Sequence, residues 1–405
     1  MTTRTPGNIH LKAARVKAGF SSQSALADAL RIGTRQVSRW ERDDPPWPQP
    51  DQRAALTALL GQTMEQLGFT DPDSGLRGAG AAAIATAGLA AVPIRPGAAT
   101  QPASVAVDFR AVTHAHRHLY WSLAPAALHP AVIAHATLGC AFLAETDGQT
   151  HRSVATALAE TWLLAGRIEF FDLNKPEQAR ATLQRALQAA SEAQDDLMGS
   201  AILAHTAFIP GWAGQREDAL ETMAAARAYA RRATAGAEFW AWLDAVEAEC
   251  ETHCGNMPAA LQLITRAEET LDTGPAHARP AWMDWFSPVR LAGFKGNAQL
   301  RAGHLPQARA TLLTALDDLP EEEGKQRSVI YGDLAAVEAA DGRIQEACDH
   351  LRKALAQLEI TPYAAGRQRV RDVRRALVPH QDQPCVRDFD EVNFGWNNTV
   401  SALAR

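Results

Sequence analysis

Residues 179–186 read ARATLQRA, and the same frame returns as ALETMAAA at 219–226, ALQLITRA at 260–267, ARATLLTA at 308–315 and ACDHLRKA at 347–354. Each segment holds an alanine, a larger apolar residue four positions on and a second alanine three further. Steps of four and three mark one face of an α-helix. The first alanines lie 40, 41, 48 and 39 residues apart. Five residues before each stands a turn former: Asn174, Gly214, Gly255, Gly303 or Gly342. Asparagine and glycine tolerate the left-handed conformation in which a helix commonly ends. The repeating unit is therefore a helix, a tight turn and a second helix. Its two alanines admit a close partner, and the larger residue fills the gap between them. A two-helix unit cannot bury its apolar face alone, so units of this kind stack on one another.

The five segments, from AGRIEFFDLNKPEQARATLQRALQAA to EAADGRIQEACDHLRKALAQL, resemble tetratricopeptide repeats over about residues 150–360. Their period is nearer 40 than the ~34 usual for that family, which implies longer helices or loops. The resemblance implies a helical solenoid with a concave binding face. Residues 107–149 read as one or two further helix pairs with a degraded pattern. The last segment, QDQPCVRDFDEVNFGWNNTV, lacks a clear period and reads as a tail packed through Phe389, Phe394 and Trp396. Alternating strand patterns are missing, so the fold class is all-α.

Upstream, residues 70–106 are rich in glycine, proline and alanine and poor in charge, which marks an interdomain linker. Its uncharged run at 78–94 is short and mostly alanine and glycine, unlike a membrane span. The expected division is a small domain at 1–69, the linker at 70–106, the helical body at 107–380 and a tail at 381–405. Charge divides along the same line. Residues 1–69 carry nine basic and six acidic groups, whereas the whole chain has 40 and 46, a net of -6. A globally basic nucleic-acid coat is excluded, and a local basic module is not. Five cysteines in 405 residues argue against a disulfide scaffold. The N-terminal stretch MTTRTPGNIHLKAARVKAG lacks the apolar region of a signal peptide, so a cytoplasmic protein with no membrane partner is expected.

Within 1–69, IHLKAARVK at 9–17, QSALADAL at 23–30 and TRQVSRWER at 34–42 read as three short helices, and DQRAALTALL at 51–60 as a fourth. Val37 and Trp40 lie three apart and face inward. That leaves Arg35, Gln36 and Arg39 outward. Gln and Arg make bidentate contacts to adenine and guanine edges, and Ser38, Arg39 and Arg42 suit phosphates, which position without reading sequence. Arg31, Arg35, Arg39 and Arg42 form one basic stripe.

Leu11, Arg15, Gly19, Gln23, Leu26, Ala27, Leu30, Ile32, Val37 and the SRWE run at 38–41 make this stretch similar to the helix-turn-helix of phage repressors and their bacterial relatives. Two positions depart from the family. Arg31 stands where glycine is usual, and Gly33 where a serine or threonine cap is usual, which passes the capping role to Thr34. The resemblance implies operator contacts from Gln23, Thr34, Arg35, Gln36, Ser38, Arg39 and Arg42. With a tetratricopeptide-like body, it implies a transcription regulator that binds an inverted repeat as a homodimer and senses a peptide or small molecule. A protein-interaction scaffold with a vestigial head is the other reading.

Aromatic residues cluster as FWAW at 239–242 and WMDWF at 282–286. Trp240, Trp242, Trp282, Trp285 and Phe286 are the candidate ligand contacts, with packing between unequal helices as the alternative. His114, His116 and His118 alternate, but on a helix positions two apart diverge by ~200° and cannot converge on a metal. Cys250 and Cys254 suit buried thiols of a repeat helix. GxxxxGK[ST], HExxH and GxSxG are missing. The expectation is no metal, no cofactor and no enzymatic activity.

Overall fold

A computed structural model describes residues 8–42, 45–46, 48–64, 67–69, 101–274 and 279–403. The described residues are helical with no strands. The chain divides into two compact units, Met1–Pro96 and Gly97–Arg405.

In the first unit, α1 (Ile9–Lys17), α2 (Gln23–Ala29), α3 (Thr34–Trp40) and α4 (Pro50–Leu60) surround one small core. Leu11, Leu26, Ala27, Val37, Trp40, Leu56, Leu67 and Phe69 are its fully or almost fully buried members. Trp40 meets Phe69 edge-on at 6.0 Å. Ile32 is half-buried and packs on this core. Ser22 caps α2 by accepting from the Ala25 N–H at 3.1 Å. The capping role expected of Thr34 is not filled. Gly33 is the N-cap of α3 without any side-chain bond, and its carbonyl accepts from Gln36 N–H at 2.8 Å. Arg31 takes φ 56°, the left-handed value that glycine adopts without penalty.

The second unit runs α5 (Ser104–Leu119), α6 (Pro125–Ala144), α7 (Gly148–Arg167), α8 (Pro176–Ala193), α9 (Asp196–Trp212), α10 (Arg216–Arg232), α11 (Ala237–His253), α12 (Met257–Thr273), α13 (Pro288–Arg301), α14 (Leu305–Asp318), α15 (Gly324–Ala340), α16 (Ile344–Ile360), α17 (Ala364–Ala376) and α18 (Pro384–Leu403). A π-helical turn, Ile168–Asp172, follows α7. Helices α7 and α8, α9 and α10, α11 and α12, α13 and α14, and α15 and α16 pack as antiparallel pairs. The odd-numbered helices from α7 to α17 also contact one another in sequence.

All five turn residues, Asn174, Gly214, Gly255, Gly303 and Gly342, have φ between 53° and 83°. After each glycine the next N–H donates to the carbonyl five residues earlier, as Gln215 to Pro210 and Asn256 to Glu251, both at 2.9 Å. This closes the helix end with otherwise orphaned carbonyls satisfied. Asn174 differs because the π-turn precedes it, and Lys175 N–H reaches Glu169, six residues back. Both pattern alanines and the central residue of each of the five repeated frames are buried. Leu183 lies so close to Gly166 on α7 that a Cβ there would stand 2.7 Å away, and Leu312 crowds Gly296 on α13 similarly.

Helix α5 begins three residues before the expected end of the linker. The uncharged run at 78–94 lies outside the described residues. Another helix, α6, is long and apolar enough to cross a membrane by length and composition. It packs on α5 and α7 through Leu128, Val132, His135, Ala136 and Gly139. The expected irregular tail is corrected: residues 384–403 form α18, which docks on α16. Among the side chains described, 384–395, Cys385, Val386 and Phe389 at its start are the buried ones. Buried residues at 385, 386 and 389, followed by exposed or half-buried ones to 395, leave no repeating pattern to read over that stretch. Phe394 is exposed, and the Trp396 side chain lies outside the described residues.

Candidate functional site

The first unit offers a charged surface. Arg31, Arg35, Arg39 and Arg42 are exposed, as is Thr34, while Gln36 and Ser38 are half-buried. Among the described residues none of the four arginines forms an ion pair. Gln23 is placed differently. Its Nε2 donates to Glu41 Oε2 at 2.6 Å, and Glu41 Oε1 accepts from Arg15 Nε at 2.7 Å. Arg15 also donates to the Phe20 carbonyl at 2.7 Å. This nearly buried network joins α1, α2 and the end of α3. Asn8 adds a second tie by donating from Nδ2 to the carbonyls of Trp40 and Leu67, at 3.2 and 2.9 Å, while its Oδ1 caps α1. The sequence reading missed Asn8, which is an isolated polar residue outside any helix pattern.

The second unit encloses a cavity of about 450 Å³. All its lining residues come from odd-numbered helices or the segments adjoining them. One stripe per helix supplies them, with spacings of three, four and seven. Helix α9 gives His205, Phe208 and Trp212, and α11 gives Trp242, Glu249 and His253. From α13 come Arg290, Gly293, Phe294, Asn297 and Arg301, and from α15 Lys325, Gln326, Val329 and Asp333. Tyr120 and Trp121 close α5, Arg167 ends α7, and the π-turn swings Phe171 into the wall.

Of the five aromatic candidates, Trp242 and Trp285 line the cavity. Their rings stand 5.7 Å apart. Trp282 stacks behind Trp285 at 5.5 Å, Trp240 is half-buried against the core, and Phe286 is wholly buried. His205 bridges Trp242 and Trp285 at 5.1 and 4.9 Å. Burial, aided by Arg167, pushes its pKa down to about 3, so it is neutral. Its Nδ1 is placed to donate to the Ala201 carbonyl at 2.8 Å.

Charges gather at two places in this wall. At one, Lys325 Nζ lies 2.6 Å from Asp172 Oδ1 and 3.4 Å from the centre of the Tyr120 ring. Burial lowers the Lys325 pKa to about 8, against the pull of Asp172. Burial raises Asp172. Arg290 donates to the Trp285 carbonyl at 2.8 Å and to Glu323 at 2.7 Å, and lies over the Trp121 ring at 4.2 Å. Arg167 is 5% exposed and sits against the rings of Tyr120 and Trp285 at 4.9 and 4.6 Å. At the other place, Arg369 meets Asp333 at 3.1 Å and Glu249 at 3.6 Å. Burial raises Asp333 to about 6. Burial also pushes Glu249 up, but its bonds from His253 and Asn297 and the nearby Arg369 hold it lower. None of these charged wall residues is evident from the sequence, because they come from separate helices among many other charges.

His114 and His118 meet Nε2 to Nε2 at 3.0 Å. Among the described residues no three His, Cys, Asp or Glu side chains are grouped to hold a metal. Neither a known family model nor a curated protein matches the chain.

Proposed function

We propose that this protein is a sequence-specific transcription regulator in which a repressor-type helix-turn-helix unit binds operator DNA and a tetratricopeptide-like body binds the effector. The observation that carries the reading is α3. Val37 and Trp40 are fully buried on one side of it, and Arg35 and Arg39 are exposed on the other, in line with Arg31 and Arg42. A short helix anchored in this way, with unpaired cations outward, has the shape and charge to enter a major groove. Gln36 then reads a base, and Arg39 meets phosphate. Gln23 supports Glu41 and Arg15 and contacts the backbone only from its remaining polar atom.

The cavity supports the sensing half of the reading. It is concave, aromatic on one wall and furnished with a few buried charges, the usual make-up of a small-molecule site. The operator is an inverted repeat and the working form a homodimer, because one head presents few side chains to one groove.

The test is retention of genomic DNA fragments by the full chain, followed by footprinting. A bounded, palindromic footprint is expected. Gln36→Ala should lose about 1–3 kcal/mol of preference for the operator over a mutated operator. Arg39→Ala should weaken both alike and make binding less salt-dependent. If no fragment is retained above random DNA, an interaction scaffold with a vestigial head becomes the better reading.

A further inference from the structure

Arg167 is the anomaly of the cavity. Its neighbours Lys325 and Arg290 each face a carboxylate, Asp172 and Glu323. Among the described residues Arg167 has none, and its buried Nε has no hydrogen-bond partner. Three aromatic rings, Tyr120, Trp121 and Trp285, hold it by cation–π contact, which offsets only part of the cost of burying a full charge. Arg167 is thus the cation of this cluster that no carboxylate meets at ion-pair distance among the described residues, Asp172 acting on it only from further away. Two further donors nearby are also orphaned: the buried indole N–H groups of Trp212 and Trp285. The lining also holds an orphaned acceptor, Asn297 Oδ1. The rings of Phe171, Phe208, Trp212 and Trp242 make up much of the surface between.

We propose that the effector is a compact aromatic molecule carrying a single carboxylate, which docks on Arg167 while its ring system lies against Trp242, Trp285 and Phe208. This deepens the sensing role proposed above and rests on it. Charge sets the sign of the anchoring group: a carboxylate would pair with the one guanidinium of this cluster that lacks an ion-pair partner among the described residues. Size argues for a compact body, since about 450 Å³ lies toward the small end of the usual ~300–1,000 Å³ range. Shape argues for a planar one, since aromatic rings stack best on rings at offset or edge-on distances.

The probes are 1-naphthoate and its neutral amide, 1-naphthamide, titrated calorimetrically into the full chain. The acid should bind about tenfold or more tightly than the amide, the range of a charge-assisted bond. Arg167→Met should bind both alike, and Arg167→Lys should keep a preference for the acid. Trp242→Ala should weaken both. Without ligand, Arg167→Met should melt no lower than the parent, because it removes a charge that has no partner. Equal binding of acid and amide by the parent, no binding of either, or a preference that survives Arg167→Met each overturns the proposal. So does a preference for extended peptides over naphthoate. The sensing role fails separately: naphthoate that binds through Arg167 yet leaves DNA retention unchanged keeps the ligand assignment and removes the regulator's switch.

Discussion

Lys325 shows how one residue ties the cavity to stability. It is almost fully buried and faces Asp172, itself wholly buried. Removing one member of such a pair strands the other charge, at a cost of about 3–5 kcal/mol. Lys325→Met should therefore destabilise the body strongly, and Asp172→Asn with Lys325→Met should recover most of the loss. Denaturant unfolding of the two variants checks this, and a double variant as weak as the single one would show that the pair is not the cause. The pH dependence follows from the same residue. Its pKa is about 8 in the folded chain and 10.5 ordinarily. Between those values the unfolded chain holds more protons, so stability contributed by this lysine rises with pH. The parent should gain stability relative to Lys325→Met between about pH 8 and about pH 10.5.

Trp40 is the corresponding residue of the first unit. It has no exposed surface and closes the small core against Phe69. Truncating a buried aromatic costs about 3–5 kcal/mol, a large share of the stability of so small a unit. Trp40→Ala should lower the melting of the first unit and abolish DNA retention, whereas Trp40→Phe should keep both in part. An unchanged calorimetric profile for Trp40→Ala would refute its role as an anchor.

At the scale of elements, the turns are where sequence and structure agree most closely, and the reason is physical. A helix end that must adopt positive φ narrows the residue choice to glycine and asparagine, so the constraint is written in the letters. The paired alanines are legible for a similar reason: two helices can approach only where side chains are small. Helix α18 is hard to read because over 384–395 its buried residues, Cys385, Val386 and Phe389, do not recur at a helical period. The cavity was half-hidden. Tryptophans are rare enough to stand out, which led to Trp242 and Trp285, yet the same prominence drew in Trp240, Trp282 and Phe286, which pack. Arg167, Lys325 and Asp172 converge from three separate elements, and no local pattern marks them.

Arg31 offers an element-scale test. It holds φ 56° at the end of α2, where a glycine would be unstrained. Arg31→Gly should stabilise the first unit by about 0.5–1 kcal/mol. Gly255→Ala should do the reverse by a similar amount, since its Cβ would meet no neighbour and only the backbone objects. Thermal melts of both variants decide the point. If Arg31→Gly also weakens DNA retention while raising the melting temperature, the residue contributes to binding at the expense of its own turn.

At the scale of the whole molecule, the proposed regulator needs two heads on one operator, about one helical turn apart. On that reading the exposed arginines of the first unit are taken up by DNA and leave it few groups for self-association. The second unit is much larger and bears an uncharged, apolar helix, α6, whose Leu138 is exposed. The homodimer should therefore be held by the body. Sedimentation of residues 101–405 should give a dimer at tens of micromolar, and residues 1–69 a monomer that binds DNA weakly. An effector in the cavity contacts α9, α11, α13, α15 and the start of α17 at once. In the proposed homodimer a change in their spacing would pass to the interface and so to the distance between heads. A body fragment that sediments as a monomer while the full chain dimerises would place the interface elsewhere. The cavity would then have no mechanical route to the operator through the body.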